Sequence, residues 1–322
     1  MIGKSAAFLK MTALIARIAD CDAPVLLEGE TGTGKELAAR AIHCQGQRRN
    51  QPFVPVNCGA IPDLLIENEL FGHRKGAFTD ARSDQLGLIA QADSGTLFFD
   101  EVDALSPKGQ VALLRFLQDQ HYRPLGETRE QAVDVRIVAA SNANLSQLAE
   151  VGQFRMDLLY RLKILFLKAP PLRERSGDPV LLAEHFVRTC SQRFGQPRKF
   201  FHPDTLEWFA AYSWPGNIRE LENLVYREYL LTDGPMIQIH PDDPQQKDRR
   251  QLMDRRQLFM DELNYAAAKA RIVEDFEKKF LVRVMTKAKG NVTQAATLAG
   301  TERRHLGKLI KKLGIEKSGY YA

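Results

Sequence analysis

The sequence predicts an α/β protein built on a parallel sheet wrapped by helices, with all-helical segments after it. Three observations carry this expectation. Short apolar runs of strand length alternate with helical stretches over residues 25–175, which is the pattern of strand, crossover helix and parallel strand. Residues 178 to about 233 show only helical periodicity, and the polar stretch 241–250, with its two prolines, breaks both patterns.

Taken in chain order, Phe8, Met11, Ile15 and Ile18 recur at helical spacing and predict an amphipathic helix packed on the domain after it. Candidate strands come next at Val25–Glu28, Phe53–Asn57, Thr96–Asp100 and 135–140. A long amphipathic helix is expected over about 263–287. With 322 residues the chain has room for about two domains and a real core. No apolar run approaches the roughly 18 to 20 residues that span a bilayer, and Lys10, Arg17 and Asp20 interrupt the N-terminal apolar stretch, so a soluble cytoplasmic protein is expected. Cys21, Cys44, Cys58 and Cys190 form no CxxC pair and no zinc-ligand spacing, and read as buried free thiols.

Charge is unevenly spread. Residues 247–322 hold 18 Lys and Arg against 9 Asp and Glu, leaving 27 against 31 in residues 1–246. A nucleic-acid contact at the C-terminal end is the natural expectation, beside the plainer reading of a solvated basic face.

Two segments carry chemistry. Gly29, Glu30, Thr31, Gly32, Thr33, Gly34, Lys35 and Glu36 follow an apolar strand and open a helix, the context of a phosphate-binding P-loop. Glycines let backbone N–H groups turn toward phosphates, the helix N-terminus favours negative charge, and Lys35 supplies a point charge for the β and γ phosphates. Glu36 stands where the generic motif has a Mg²⁺-holding hydroxyl. The run Thr96–Asp100 with Glu101 is an apolar strand ending in two carboxylates, in which Asp100 would hold Mg²⁺ and Glu101 would orient the attacking water. ATP and Mg²⁺ are the expected ligands.

These segments, with Glu69 to Ala81, Arg136 to Asn142, Phe154 to Arg161, Pro170 to Arg175 and Trp214 to Asn223, resemble the central domain of bacterial enhancer-binding proteins, the AAA+ activators of RNA polymerase carrying sigma-54. In that family Glu follows the P-loop lysine, so Glu36 becomes a match. The resemblance implies a P-loop AAA+ parallel sheet with a helical lid, ATP hydrolysis and self-association into a ring, usually a hexamer. It implies that Asn142 senses the γ-phosphate, although a strand-end Asn capping a turn would read the same. Asn57 would hold Glu101 away from water, or would be a turn-forming Asn before Cys58 and Gly59. Arg155 and Arg161 match arginines that reach a neighbour's ATP, and would otherwise be surface ion-pair formers. Arg219 matches a second sensor in the lid.

The signature loop of the family, Gly-Ala-Phe-Thr-Gly-Ala, contacts the sigma factor. Here it reads Gly76, Ala77, Phe78, Thr79, Asp80, Ala81, with Asp in place of the second Gly. Asp restricts the backbone and adds a negative charge, yet tolerates turns better than most residues. Asp103 and Ala104 likewise stand where Gly-Glu is common.

Residues 291–314 resemble a Fis-type helix-turn-helix: Ala295, Ala296 and Ala299 permit close packing, Gly300 makes the turn, and Leu306, Leu309 and Ile310 face inward. That leaves Arg303, Arg304, His305, Lys308 and Lys312 for DNA. The expected organisation is a nucleotide-binding α/β subdomain at 1–175, the lid at 176–240, a linker at 241–262 and a small all-α helix-turn-helix domain at 263–322, with no receiver or ligand-sensing domain ahead of Ile2 and Gly3. The leading expectation is an ATP-dependent activator that binds upstream DNA and remodels sigma-54 polymerase. The alternative, which Asp80 favours, is a nucleotide-regulated DNA-binding regulator acting without sigma-54.

Overall fold

Strand β1 (Val25–Glu28) lies between β4 (Arg136–Ser141) and β5 (Leu165–Lys168), and β3 (Thr96–Asp100) lies between β4 and β2 (Phe53–Asn57), giving an all-parallel sheet in the order β2-β3-β4-β1-β5. This is a computed structural model, which describes residues 1–78, 81–239, 281, 288, 292–299 and 301. The chain divides into two units, Met1–Ile239 and His240–Ala322.

Side chains alternate across a strand, so each strand feeds two cores. Leu26, Leu97, Phe99, Ile137 and Ala139 face one cluster, while Val25, Leu27, Phe98, Val138 and Ala140 face the other. Helix α1 (Ala6–Ala19) closes the second face with Phe8, Met11, Ile15 and Ile18, all buried as their spacing predicts. Its first turn is capped by Ser5, whose Oγ accepts from the Phe8 N–H at 3.2 Å. Its last carbonyls, Ile18 and Ala19, accept from the buried Arg136 guanidinium at 2.7 and 3.1 Å.

The lid is built from α5 (Asp178–Phe194), α6 (Pro203–Ala211) and α7 (Asn217–Leu231), which follow α2 (Lys35–Gln45), α3 (Pro107–Asp119) and α4 (Met156–Leu162) in the chain. Its core centres on Trp214, Phe209 and Tyr229, each fully buried. The Asp178 carboxylate accepts from the Lys4 and Ser5 N–H groups, the Ser5 hydroxyl and Arg175 Nε at 2.7 to 3.0 Å, which ties the residues ahead of α1 to the first helix of the lid.

Several expectations change. The strand expected over 135–140 runs one residue later, and β5 was not foreseen, because its apolar run follows the helix Met156–Leu162 with no Gly or Pro between them to mark a boundary. The lid contains a two-residue parallel pair, Phe200–Phe201 with Met236–Ile237. Cys58 and Cys190 are buried, but Cys21 and Cys44 are exposed, Cys44 because it follows the inward Ile42 and His43 on α2 and so turns to the outer face. Among the described residues no helix is long and apolar enough to cross a membrane.

In the second unit, Val292–Leu298 is helical, Ala295 and Ala296 are buried, and the Thr301 N–H donates to Ala296 O at 3.1 Å at the helix end. The linker expected at 241–262 and Gly300, Arg303, Arg304, His305, Leu306, Lys308, Leu309, Ile310 and Lys312 lie outside the described residues, as do Thr79 and Asp80. Of the long helix expected over 263–287, only Leu281 is described.

Candidate nucleotide-binding site

Because all five strands are parallel, the residues that leave their carboxyl ends gather along one edge of the sheet. The order puts β4 beside both β1 and β3, so the P-loop after β1, Asp100 and Glu101 at the end of β3, and Asn142 after β4 become neighbours. Together with Thr31, Gly32, Gly34, Glu36 and Arg219 of the lid, they line a cavity of about 280 Å³.

The P-loop glycines have separate reasons. Gly32 and Gly34 take φ of +79° and +92°, which L side chains rarely adopt. A Cβ on Gly32 would also lie 2.4 Å from the Gly216 carbonyl, so the loop passes against the lid backbone. Thr33 turns inward, its hydroxyl donating to Glu30 O at 2.8 Å. Gly29 offers its carbonyl to Lys35, and a Cβ there would meet Ala169 at 2.9 Å.

Lys35 is the hub. Its Nζ donates to the carbonyls of Gly29 and Glu30 at 2.7 and 3.1 Å and to Asn142 Oδ1 at 2.6 Å. Burial pulls its pKa below the ordinary lysine value, opposed by the nearby Asp100, Asp103 and Glu101 carboxylates. Burial pushes Asp100 the other way, above the usual carboxylate value, while the Glu101 N–H bonded to it at 3.0 Å and the charge of Lys35 pull back. The same desolvation, joined by the three acids, raises the buried Cys58 thiol to about 12, which makes it an inert packing group.

Asn142 joins the basic and acidic sides. While its Oδ1 accepts from Lys35, its Nδ2 donates to Glu101 Oε1 at 3.3 Å and its backbone N–H donates to Asp103 Oδ1 at 3.1 Å. Lys35 can only donate and an ionised carboxylate can only accept, so these partners fix which way the amide faces. Glu101 sits in the left-handed region at φ 54°, a turn that carries the chain from β3 into the 3₁₀ turn Val102–Ala104.

Asn57 pairs with Asp100 across β2 and β3, and its Oδ1 accepts from the Gly59 and Ala60 N–H groups at 2.9 and 3.2 Å, capping the 3₁₀ turn Cys58–Ala60. This is the turn reading the sequence left open. Glu101 is nonetheless close by, since a Cβ on Gly59 would fall 2.7 Å from Glu101 Oε2. Glu36 pairs with Arg40 one helical turn on, at 2.8 Å.

Arg155 and Arg161 stay outside the cavity. Both are exposed at the ends of α4, and Arg155 pairs with Asp157 at 2.6 Å across a half-exposed surface. Such a pair is worth little and is readily exchanged.

Sequence reasoning missed the latch that holds the P-loop to the lid. The Glu30 carboxylate accepts from both terminal nitrogens of Arg173 at 2.6 and 2.8 Å and from Asn217 Nδ2 at 3.1 Å. Hydrogen bonding to Arg173 first, and to Asn217 next, lowers the Glu30 pKa to about 2. Asn217 also donates to Thr31 O at 3.0 Å and accepts from the Leu172 N–H at 2.8 Å, and the Ile218 N–H donates to Gly32 O at 2.9 Å. Asn217 is fully buried with φ of +54°. An Asn, which tolerates the left-handed region, directly after a Gly at a helix start was the available signal.

Beside Ala77 and Phe78, the Gly76 N–H donates to Ala81 O and the Ala81 N–H to Phe78 O, at 2.9 and 3.0 Å. Phe78 is 44% exposed and packs edge-on against His73, with centroids 4.9 Å apart. Arg74 pairs with Asp84 at 2.8 Å and with Glu127, between the antiparallel strands His121–Tyr122 and Gln131–Ala132, at 2.9 Å.

The sigma-54 interaction domain family matches residues 1–168, the AAA+ ATPase lid domain residues 173–255, and the bacterial regulatory protein Fis family residues 272–313. The chain is 42% identical to the phenol regulator MopR of Acinetobacter guillouiae, over 98% of this chain and 56% of that protein. It is 41% identical to the response regulator PilR of Pseudomonas aeruginosa, over 98% and 70%. A crystal structure of NtrX from Brucella abortus in complex with ATP aligns with a TM-score of 0.72 and 33% identity, over 98% of this chain and 69% of that one. The chain thus spans little more than half of the first of these regulators. With the domain matched over more than half its residues, and regulators such as PilR and NtrC at about 40% identity, this chain belongs to the sigma-54 interaction domain family, the NtrC-like AAA+ activators.

Proposed function

We propose that this protein hydrolyses ATP between the subunits of a ring and spends that energy remodelling sigma-54 RNA polymerase, while its C-terminal module holds it on upstream DNA. The observation that supports this best is the single cavity in which Lys35, Asp100, Glu101, Asn142 and Arg219 meet, with Asn142 bonded to both Lys35 and Glu101.

The residues suit ATP with Mg²⁺: Asp100 is a half-buried carboxylate beside a buried lysine, and the glycines at 32 and 34 open a backbone cradle. Asp100 would hold the ion, which when bound offsets charge on the β and γ oxygens. Lys35 and the N–H groups from Gly29 to Glu36 bind the phosphates. As Lys35 is drawn to the γ-phosphate, its bond to Asn142 weakens, and Asn142 reports that change to Glu101. Glu101 then orients the attacking water. Asn57, whose Oδ1 is committed to its turn, would engage Glu101 through its NH₂ group. Arg219 reads phosphate occupancy from the lid, and Arg155 and Arg161 complete a neighbour's site, a hexamer being the expected ring. Phe78 and Thr79, in the loop Gly76 to Ala81, would grip the sigma factor with Asp80 accommodated. Arg303, Arg304, His305, Lys308 and Lys312 would contact DNA in the cytoplasm.

The test is ATP-dependent open-complex formation on a sigma-54 promoter with purified polymerase. Open complexes that require ATP are expected. Hydrolysis without open complexes, and without sigma-54 binding in the presence of a transition-state analogue of ATP, would leave the nucleotide-regulated DNA-binding protein instead.

A further inference from the structure

Asp103 lies two residues after Glu101, and its carboxylate turns back onto the end of β4. It belongs to the 3₁₀ turn Val102–Ala104, which Glu101 enters with left-handed backbone, so the same backbone turn presents Glu101 and aims Asp103. Asp103 Oδ1 accepts the Asn142 backbone N–H at 3.1 Å, while the Asn142 side chain bridges Lys35 at 2.6 Å and Glu101 at 3.3 Å.

We propose that Asp103 is a positioning residue for ATP hydrolysis: it clamps the Asn142 backbone to the turn carrying Glu101, so that a change at Lys35 rotates the Asn142 amide instead of shifting its strand end. An amide on a free backbone could follow Lys35 by translation and keep its Glu101 bond stretched but unbroken. One on a clamped backbone must turn about its side-chain bonds, and the 3.3 Å contact to Glu101, the longest of the three, is the first to part. The clamp therefore sets how sharply phosphate occupancy releases the water-orienting carboxylate. Asp103 is not among the residues that line the cavity, so its removal should slow turnover without weakening ATP binding.

The inference rests on the ATPase reading above, and the experiment separates the two. Steady-state hydrolysis by the full chain is measured against ATP concentration for wild type, Asp103→Ala, Asp103→Asn and Glu101→Gln. Asp103→Ala should lower kcat about tenfold, the loss expected of one charge-assisted hydrogen bond that acts on the reaction, with KM essentially unchanged. Asp103→Asn keeps an acceptor oxygen at the same reach and should recover most of the rate, a rescue that a purely electrostatic role of the third acid would not give. Asp103→Gly, which lacks the acceptor and adopts any backbone conformation, takes the place of Asp103→Ala should that variant not fold. Wild-type kcat in the variants without an acceptor, a rise in KM with kcat intact, or equal losses for Asn and Ala would each overturn the proposal. Wild-type hydrolysis by Glu101→Gln would overturn the reading of Glu101, and a wild-type chain without ATPase activity would overturn both.

Discussion

Replacing Asn217 by alanine should loosen the P-loop and the lid at once. The side chain is fully buried and makes three hydrogen bonds, to the Leu172 N–H, Thr31 O and Glu30. Its loss leaves the Leu172 N–H buried without its partner, at about 1 to 3 kcal/mol, and removes a neutral bond worth about 1 kcal/mol. The bond to Glu30 adds little more, because that carboxylate is 42% exposed and water screens it. Alanine held at φ +54° costs a further ~1 kcal/mol that glycine avoids. Asn217→Ala should therefore lose about 3 to 5 kcal/mol and Asn217→Gly about 2 to 4. The two tryptophans, Trp208 and Trp214, both lie in the lid, so intrinsic fluorescence during urea unfolding reads this change directly. Since residues 30–32 hang on Asn217 and Ile218, KM for ATP should rise about tenfold in either variant. A loss below about 1 kcal/mol in both variants, or an unchanged KM, would show that the latch does not shape the P-loop.

The Glu30 contacts make a pH prediction of defined sign. A carboxylate held at about 2 in the fold, against 4.5 ordinarily, contributes stability that is present above pH 4.5 and lost as pH falls toward 2, so the lid fluorescence midpoint should drop faster over that window in wild type than in Glu30→Gln. ATPase activity should rise more than linearly with protein concentration, and mixing Glu101→Gln with Arg161→Ala subunits should restore part of the activity that each lacks alone; strict proportionality without rescue would refute the shared site. Phe78→Ala and Thr79→Ala should each abolish open complexes on a sigma-54 promoter with ATPase within about twofold of wild type, whereas Asp80→Gly should preserve or raise them. Arg304→Ala should relax DNA sequence preference more than Lys312→Ala, and equal losses on specific and random DNA would assign both residues to the phosphate backbone.

What the sequence determined by itself is what lies contiguous in the chain. A P-loop works through successive backbone N–H groups and a helix start, so residues 29–36 had to be adjacent, and an apolar strand ending in Asp100 and Glu101 is likewise local. The helical spacing of Phe8, Met11, Ile15 and Ile18 named the buried face of α1 for the same reason: periodicity is a property of neighbours along one element. The alternation of strands and helices announced a parallel sheet, but not which strands would adjoin. Strand order was decided by the fold, and with it the approach of Lys35 to Asn142 across 107 residues and of Asn142 to Glu101 across 41. The 187-residue reach from Glu30 to Asn217 has the same origin, as does the turn of Asp103 onto Asn142. Asn, Asp and Glu occur at many strand ends and helix starts with identical local patterns. Which of them become partners depends on where the packing of two cores against one sheet, and of the lid against the P-loop, leaves a donor opposite an acceptor. That is a condition on three-dimensional distance, and no spacing along the chain expresses it.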